Sequence, residues 1–255
     1  GAEKACADGL RATKYLASKT DLCIVDSAYN GQDLIEMGYN CPMEVLPILI
    51  AFDDYKKEPD RKIIKQYDDG WVNIVFTGRV APNKCPEDII AAFYYYKKYI
   101  QPKSRLFLVG RYDGTPSYKA QLDAYVRKLD LADVYFTGHV RFDEILAYYH
   151  IADVFVCMSE HEGFCVPLVE AMYFKVPIIA YDSSAVGDTL GGSGLLLKDK
   201  SPQVAAEAMN LAVTNKALRE QLITGQQRRL EDFEHDKIKK KFLEIIQSFL
   251  AGDAR

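Results

Sequence analysis

Carboxylates, a proline and small polar residues gather in one stretch of this sequence, Ser159 to Met172. An apolar run leads into it and predicts a buried strand. Pro167 favours a helix start, because its missing N–H costs nothing in a first helical turn. The free N–H groups and the dipole of a helix N-terminus together favour an anion such as phosphate. Glu162 and Glu170 flank that place, and carboxylates accept hydrogen bonds from sugar hydroxyls. We therefore expect a ligand with a phosphate between two polyols, which is the layout of a nucleotide sugar.

Two cations lie five positions apart in a second stretch, Gly78 to Lys84, which directly follows an apolar run. Arginine offers a planar fork and lysine a point charge, so Arg79 and Lys84 can hold a diphosphate without a metal ion. In a transfer reaction they would stabilise the charge on a departing nucleoside diphosphate. By position alone, two surface charges in a loop explain them equally well.

Other chemistry is open to the residues around Glu162. Glycosidases use paired carboxylates as acid and nucleophile, so Glu162 and Glu170 alone do not exclude hydrolysis. A helix N-terminus lowers the pKa of a thiol such as that of Cys165, but a catalytic cysteine also needs a base. The sequence has four histidines, and an exposed loop position explains His161. We therefore do not expect cysteine catalysis.

The spacing of cysteines and carboxylates predicts neither a metal site nor a disulfide framework. The six cysteines are scattered and form no C-x-x-C pair: Cys6, Cys23, Cys41, Cys85, Cys157 and Cys165. Reduced, buried thiols of a cytosolic protein explain that distribution. Asp53-Asp54 and Asp68-Asp69 lie in a charged segment, where solvated carboxylates are more common than metal ligands.

Short apolar runs alternate with helical stretches from Trp71 onward, which predicts a parallel sheet covered on both faces. The predicted strands are Asn73–Thr77, Arg105–Val109, Val134–Thr137, Val154–Cys157, Pro177–Ala180 and Gly194–Leu197. Three of them are followed by glycine turns at Gly78, Gly110 and Gly138. Ligands bind beyond the carboxyl ends of parallel strands. We therefore expect an α/β fold with a Rossmann-like doubly wound parallel sheet, and a site at this edge.

The composition divides the sequence into four parts. Residues 1–50 contain the tail of an α/β unit, and residues 51–70 are charged, contain a proline and are predicted to be a linker. Residues 71–232 carry the repeat of strands and helices. Residues 233–255 hold an amphipathic helix with an apolar stripe from Ile238 to Leu250. The sequence begins with Gly1 instead of Met, and we expect a fragment of a longer protein.

Charge and hydropathy exclude several function classes. The net charge is −4, so there is no electrostatic case for nucleic-acid binding. No apolar run approaches the ~20 residues of a transmembrane helix. Lysines 237, 239, 240 and 241 lie on the polar face of the last helix, where a solvated face is expected and a membrane surface or partner is the alternative. We expect a cytoplasmic protein, with a peripheral position at the inner membrane face as the alternative.

These motifs together resemble those of the family 4 retaining glycosyltransferases, which have the GT-B fold. The resemblance rests on G-R-x-x-x-N-K at Gly78–Lys84 and E-G-F-x-x-P-x-x-E-A-M at Glu162–Met172, which contains the family's E-x7-E motif. It extends from about Leu22 to Leu250. It implies transfer of a hexose from a UDP- or GDP-linked sugar to an acceptor hydroxyl, with no metal ion and no cofactor besides the substrate.

The resemblance also implies a role for each residue. Arg79 and Lys84 would bind the donor diphosphate, Glu162 the transferred sugar and Glu170 the ribose. The other donor contacts that it implies are Gly78, Gly110, His139, Val140, Gly163, Phe164, Cys165 and Val166, with His139 and Val140 beside the base. The family usually has glycine in place of Cys165, and often in place of Lys175. A β-carbon at Cys165 would narrow the space beside the donor.

GT-B enzymes place the active site between two domains, and the resemblance covers the donor-binding domain with a partial N-terminal domain stub. The acceptor, a glycan or a lipid-linked sugar, would bind a missing N-terminal domain. Exposed apolar residues of the stub would favour self-association. We expect the fragment to bind nucleotide without full activity. The alternatives are a sugar-nucleotide epimerase or hydrolase of the same fold, and a non-catalytic nucleotide-sugar-binding subunit.

Overall fold

A computed structural model describes residues 2–252 of the chain. Two compact units are present, one comprising Gly1–Ile50 with Asp232–Arg255 and the other Ala51–Glu231. In chain order the helices and strands are α1 (Ala2–Leu16), β1 (Cys23–Val25), α2 (Ala28–Glu36), β2 (Met43–Val45), α3 (Arg61–Tyr67), β3 (Val72–Thr77), α4 (Pro86–Tyr95), β4 (Ser104–Val109), α5 (Pro116–Lys128), β5 (Val134–Gly138), α6 (Phe142–Ile151), β6 (Val154–Cys157), α7 (Val166–Tyr173), β7 (Ile178–Tyr181), α8 (Val186–Leu190), β8 (Leu195–Leu197), α9 (Pro202–Thr214), α10 (Lys216–Leu230) and α11 (His235–Ala251).

The larger unit is built on a parallel six-stranded sheet with the order β5-β4-β3-β6-β7-β8. The chain builds β3, β4 and β5 outward in one direction and then returns to place β6 on the other side of β3. Val75 of β3 therefore pairs with Phe107 of β4 and with Phe155 of β6. This reversal between β3 and β6 confirms the predicted doubly wound sheet, and it is the place where such folds bind ligands.

Both faces of the sheet are covered, because alternate residues of each strand point to opposite sides. On one side Ile74 and Phe76 belong to a large core that also includes Ile90 and Phe93 of α4. On the other side Val75 belongs to a smaller cluster that continues into α6. All six residues of β3 are buried, including the polar Asn73 and Thr77, as in a strand covered on both faces.

Residues 51–70, which the sequence analysis predicts to be a linker, are folded within the larger unit. Phe52–Lys56 forms a 3-10 turn, and α3 follows it. Asp60 caps α3, since its carboxylate accepts the N–H of Lys62 at 2.8 Å and of Ile63 at 3.0 Å. Tyr55 is buried, and its ring contacts a group of aromatic rings: Phe52, Phe142, Tyr173 and Phe174. Although the segment is rich in charged residues, Phe52 and Tyr55 give it a short apolar face.

The smaller unit contains the parallel pair β1 and β2 with α1, α2 and α11. Cys23, Val25 and Tyr39 form its buried cluster. Of the predicted stripe on α11, Ile238 and Ile245 are buried, whereas Leu250 is 77% exposed. The interpretation of residues 1–50 as part of a second domain stays a prediction. Among residues 2–252, no helix combines the length and the apolar character needed to cross a membrane.

Candidate functional site

The glycine turns after β3, β4 and β5 bring three strand ends close together. Gly78, Gly110 and Gly138 all have positive φ, at 147°, 148° and 71°. A β-carbon on Gly110 would lie 2.0 Å from the carbonyl oxygen of Gly78, so no other residue fits between the two turns. The turns after β3 and β4 therefore pack closely against each other, and no glycine side chain covers their backbone toward a ligand.

A cleft of about 380 Å³ opens at these turns. It is lined by Thr77, Gly78, Arg79, Val109, Gly110, Arg111, His139, Val140, Ile145, Val166, Pro167 and Glu170. Seven of the predicted donor-site residues are among them: Gly78, Arg79, Gly110, His139, Val140, Val166 and Glu170. Val109, Arg111 and Ile145 are additional wall residues that the motifs do not indicate.

Arg79 supplies a cationic group at the cleft. Its side chain is exposed and forms no hydrogen bond or ion pair with the rest of residues 2–252. The guanidinium is therefore available to an anionic ligand, as the sequence analysis predicts. Arg111, at the end of the neighbouring strand β4, lines the same cleft and adds to its positive charge.

Lys84 and Glu162, which are 78 positions apart in sequence, form an ion pair at 2.7 Å. Their side chains are only 17% and 10% exposed, so the pair is largely desolvated. The loops that carry them are also joined through the backbone, because Glu160 N–H donates to the carbonyl of Asn83 at 2.9 Å. The loop after β3 and the loop after β6 are thus joined; the first carries Gly78 and Arg79 of the cleft, and α7, which follows the second, carries Val166 and Glu170.

A third loop, after β7, holds Glu162 in place. Ser184 Oγ accepts the N–H of Glu162 at 2.8 Å, and the carbonyl of Glu162 accepts the N–H of Ala185 at 3.2 Å. The hydroxyl of Ser183 donates to the carbonyl of Ser159. Neither serine belongs to a predicted motif, although a position directly after a strand indicates this edge of the sheet.

Glu170 lies at the other side of the cleft and is held by two tyrosines. Tyr149 donates to one carboxylate oxygen at 2.7 Å and Tyr55 to the other at 3.1 Å. Thr77 shares a hydrogen bond of 2.6 Å with the Tyr149 hydroxyl, which links β3 to the carboxylate. Burial raises the pKa of Glu170, and the two tyrosine hydrogen bonds act in the opposite direction. Neither Tyr55 nor Tyr149 belongs to a sequence motif, since both reach Glu170 only through tertiary packing.

The backbone at the two ends of α7 explains why the glycosyltransferase motif usually has glycine at positions 165 and 175. Cys165 immediately precedes the helix with φ of 69°, and Lys175 follows it with φ of 57°. Both values lie in the left-handed region that glycine adopts without strain. Glycine is therefore the favoured residue at these positions, and this chain carries side chains there. The helix itself begins at Val166, next to the predicted Pro167.

Two thiols lie next to Glu162. Cys157 Sγ donates to Ser159 Oγ at 3.3 Å. A hydrogen bond from Cys165 lowers the pKa of the Cys157 thiol, and the same bond together with burial raises the pKa of Cys165. The ligand atoms of Cys157, Glu162 and Cys165 all lie within 4.8 Å of one another. Where its side chains are described, the chain has free cysteines, as predicted; the side chain of Cys6 lies outside that part.

The site therefore combines cationic groups, a helix N-terminus and two separately held carboxylates at the switch point of the sheet. Such an arrangement can bind a diphosphate and accept hydrogen bonds from polyols on either side of it. The predicted residues Lys84, Glu162, Gly163, Phe164 and Cys165 do not line the cleft itself. They belong to the two joined loops beside it.

Comparison with known proteins identifies the family of this chain. Residues 56–229 match the family model described as Glycosyl transferases group 1. The D-inositol 3-phosphate glycosyltransferase of Jonesia denitrificans is 27% identical over 205 residues, which cover 76% of this chain and 47% of that protein. The GDP-mannose-dependent alpha-mannosyltransferase of Mycolicibacterium smegmatis is 35% identical over 133 residues, or 51% of this chain and 31% of that protein. The chain thus spans about half the length, or less, of these curated relatives.

Solved structures show the same fold. Alr3699/HepE of Anabaena, in complex with UDP and glucose, matches with a TM-score of 0.81 and 22% identity, over 94% of this chain and 66% of that one. Sucrose-phosphate synthase of Thermosynechococcus elongatus matches with a TM-score of 0.80 and 20% identity, over 95% and 62% of the two chains. These matches confirm the predicted fold class.

Proposed function

The chain belongs to the glycosyl transferases group 1, and we propose that it is the donor-binding part of a retaining glycosyltransferase. The reaction would move a hexose from a nucleoside-diphosphate sugar to an acceptor hydroxyl. The observation that supports this most strongly is the position of these groups at the switch point: Arg79 and Glu170 line the cleft, and the Lys84–Glu162 ion pair joins the two loops beside it. The stretches that carry them follow β3 and β6, which are neighbours in the sheet.

In this proposal each charged group acts on a different part of the donor. The bond from the anomeric carbon to the diphosphate breaks, and the diphosphate oxygen keeps the electron pair. Arg79 and Lys84 stabilise that growing negative charge through charge-assisted hydrogen bonds. The anomeric carbon forms its new bond to the acceptor oxygen, whose proton is released. Glu162 accepts hydrogen bonds from the transferred sugar and Glu170 from the ribose hydroxyls.

The Lys84–Glu162 ion pair holds both charged groups in place before the donor binds. Without a donor, the two charges neutralise each other in a nearly solvent-free position. A diphosphate beside Lys84 would take over part of the ammonium's hydrogen bonding and leave Glu162 free to accept from the sugar. We propose that no metal ion is required, because cationic side chains supply the charge that a metal would otherwise provide.

The proposal includes both uracil and guanine as the base of the donor. One curated relative is named for GDP-mannose, and a structural match was solved with UDP and glucose. We propose His139 and Val140 as the base contacts, since both line the cleft at the end of β5. We propose that the acceptor is a glycan or a lipid-linked sugar and that it binds to residues outside this chain. We propose that the full-length enzyme is located in the cytoplasm or at the inner membrane face.

Isothermal titration with UDP and with GDP tests the donor site. We expect one nucleotide to bind at a single site. Arg79→Ala should weaken binding by about 1.5–3 kcal/mol, or roughly 10- to 150-fold in Kd, because it removes a charge-assisted phosphate contact. The Arg79 side chain has no partner in the described chain, so this substitution should leave the thermal unfolding midpoint unchanged.

Arg127→Ala, on the exposed side of α5, is the matched control and should bind like the wild type. Lys84→Ala should weaken binding as well, and it should also lower stability because it leaves Glu162 unpaired in a buried position. The site assignment fails if neither nucleotide binds the wild type, or if Arg79→Ala and Arg127→Ala bind equally well.

A further inference from the structure

The thiols of Cys157 and Cys165 have no part in the proposed transfer, yet they lie together against one of its carboxylates. Cys157, at the end of β6, is 1% exposed, and Cys165, before α7, is 6% exposed. We infer that Cys157, Cys165 and Glu162 form a binding site for a thiophilic divalent cation such as Zn²⁺. The strand end supplies one ligand and the following loop the other two, so the sheet edge fixes all three.

The distances fit a tetrahedral ion after a small movement. The three ligand atoms lie within 4.8 Å of one another. A tetrahedral Zn²⁺, with bonds of about 2.3 Å to sulfur and about 2.1 Å to oxygen, holds its ligand atoms about 3.5–3.8 Å apart. Closing by about 1 Å is therefore enough.

Charge balance also favours occupation of this buried position. Two thiolates and one carboxylate carry three negative charges, and a divalent cation together with the Lys84 ammonium carries three positive charges. No net charge is then left in the nearly solvent-free loop, which would otherwise be costly. Lys84, at 2.7 Å from Glu162, is close enough to take part in this balance.

The ligand types select the kind of metal. Thiolates suit soft or borderline ions such as Zn²⁺, whereas Mg²⁺ and Ca²⁺ require oxygen ligands. Three protein ligands would leave a fourth coordination position for water. Magnesium should therefore not bind at these thiols, which separates this site from the metal requirement of many nucleotide-dependent enzymes.

Occupation would oppose donor binding. A metal ion on Glu162 takes the carboxylate that the transferred sugar would use, and it places a ligated cation beside Cys165 and the start of α7. Zn²⁺ and the nucleotide sugar should thus compete. This consequence depends on the proposed function, but metal binding by the three residues does not.

Titration of the reduced chain with Co²⁺ tests the site without any activity measurement. We expect one Co²⁺ per chain, thiolate-to-cobalt charge-transfer absorption in the near ultraviolet and the strong visible bands of tetrahedral cobalt, all displaced by Zn²⁺. Cys157→Ser and Cys165→Gly should each weaken binding at least tenfold. Glycine is chosen at position 165 because the φ of 69° there suits it, so this variant should fold.

The matched control is the double substitution of Cys23→Ser and Cys41→Ser, a second thiol pair whose sulfur atoms are 3.5 Å apart in the other unit. It should retain the cobalt spectrum. The proposal is overturned if no thiolate absorption appears, if Cys165→Gly leaves it unchanged, or if the control variant loses it. A cobalt site that forms while the affinity for UDP-glucose and for GDP-mannose stays the same in saturating Zn²⁺ would overturn the competition and leave the donor site unaffected.

Discussion

Glu170 shows how much of a binding site is made by residues that no motif contains. Its two carboxylate oxygens accept from Tyr149 and Tyr55, and Thr77 is hydrogen-bonded to the Tyr149 hydroxyl in turn. Four elements or segments therefore meet at one side chain: β3, the 3-10 turn at Phe52–Lys56, α6 and α7. The carboxylate is held in a fixed orientation before any ligand arrives, which reduces the entropy lost on binding.

Tyr149→Phe should destabilise the chain by about 1–3 kcal/mol, because it leaves the buried Thr77 hydroxyl and one oxygen of Glu170 without that partner. The ring itself remains stacked on Phe174, at 5.2 Å between centroids, so loss of packing does not contribute. Urea denaturation measures the change. Tyr148→Phe on the same helix is the control, since the Tyr148 hydroxyl bonds to no side chain or backbone atom within residues 2–252. Equal losses in the two variants would contradict the proposed network.

The raised pKa of Glu170 makes a testable contribution to the pH dependence of stability. Burial favours the protonated form in the folded chain, so its folded pKa lies above the unfolded value of about 4.3. The stabilising contribution is fully present below the unfolded pKa and is lost as pH rises through the folded pKa. Glu170→Gln cannot titrate and lacks this contribution.

We therefore expect the stability of the wild type relative to Glu170→Gln to decrease as pH rises from about 4 toward neutrality. Urea denaturation of both proteins at a series of pH values measures the difference, and all other carboxylates cancel in it. A difference that is constant over this range, or that changes with the opposite sign, would show that burial does not control this group.

Helix α7 has a residue with left-handed backbone at each end, Cys165 before it and Lys175 after it. At the C-terminal end, Lys175 N–H donates to the carbonyl of Met172 and Val176 N–H to that of Ala171, which is the hydrogen-bond pattern of a glycine-terminated helix. Lys175 is exposed and has φ of 57°, so its side chain gains little from packing while its backbone is strained.

Lys175→Gly should stabilise the chain by about 1 kcal/mol, since a left-handed residue with a β-carbon costs about 1–2 kcal/mol and glycine returns part of that through its unfolded-state entropy. Thermal or urea denaturation measures the gain. Lys175→Ala removes the charge and the long side chain but keeps the β-carbon, and it should show no such gain. If alanine stabilised as much as glycine, charge and not backbone strain would be the cause.

The strands and helices were largely predictable from the sequence, but the tertiary contacts between them were not. Apolar runs bounded by turns identify each strand of the large sheet, and β6 has the predicted limits of Val154 and Cys157. The segment from Ala51 to Gly70 is predicted to be a linker because it is charged and contains a proline. Tyr55 is nonetheless buried in it, since only tertiary contacts with aromatic rings of α6 and α7 reveal that face.

For the molecule as a whole, strand order decides what the motifs can do together. The sequence shows that strands alternate with helices, and it places the glycine turns at strand ends. It does not show that β6 pairs with β3, and this pairing alone brings the loop of Lys84 against the loop of Glu162. Because of that pairing, the Lys84–Glu162 ion pair lies beside the cleft that Arg79 and Glu170 line.

A crystal structure of this chain with UDP or GDP tests the central claim most directly. The account predicts the diphosphate within hydrogen-bonding distance of Arg79 and Lys84, the ribose hydroxyls at Glu170 and the base beside His139 and Val140, with the Lys84–Glu162 contact lengthened from 2.7 Å. A nucleotide bound away from the edge where β3 and β6 end, or a diphosphate that contacts neither cation, would contradict it.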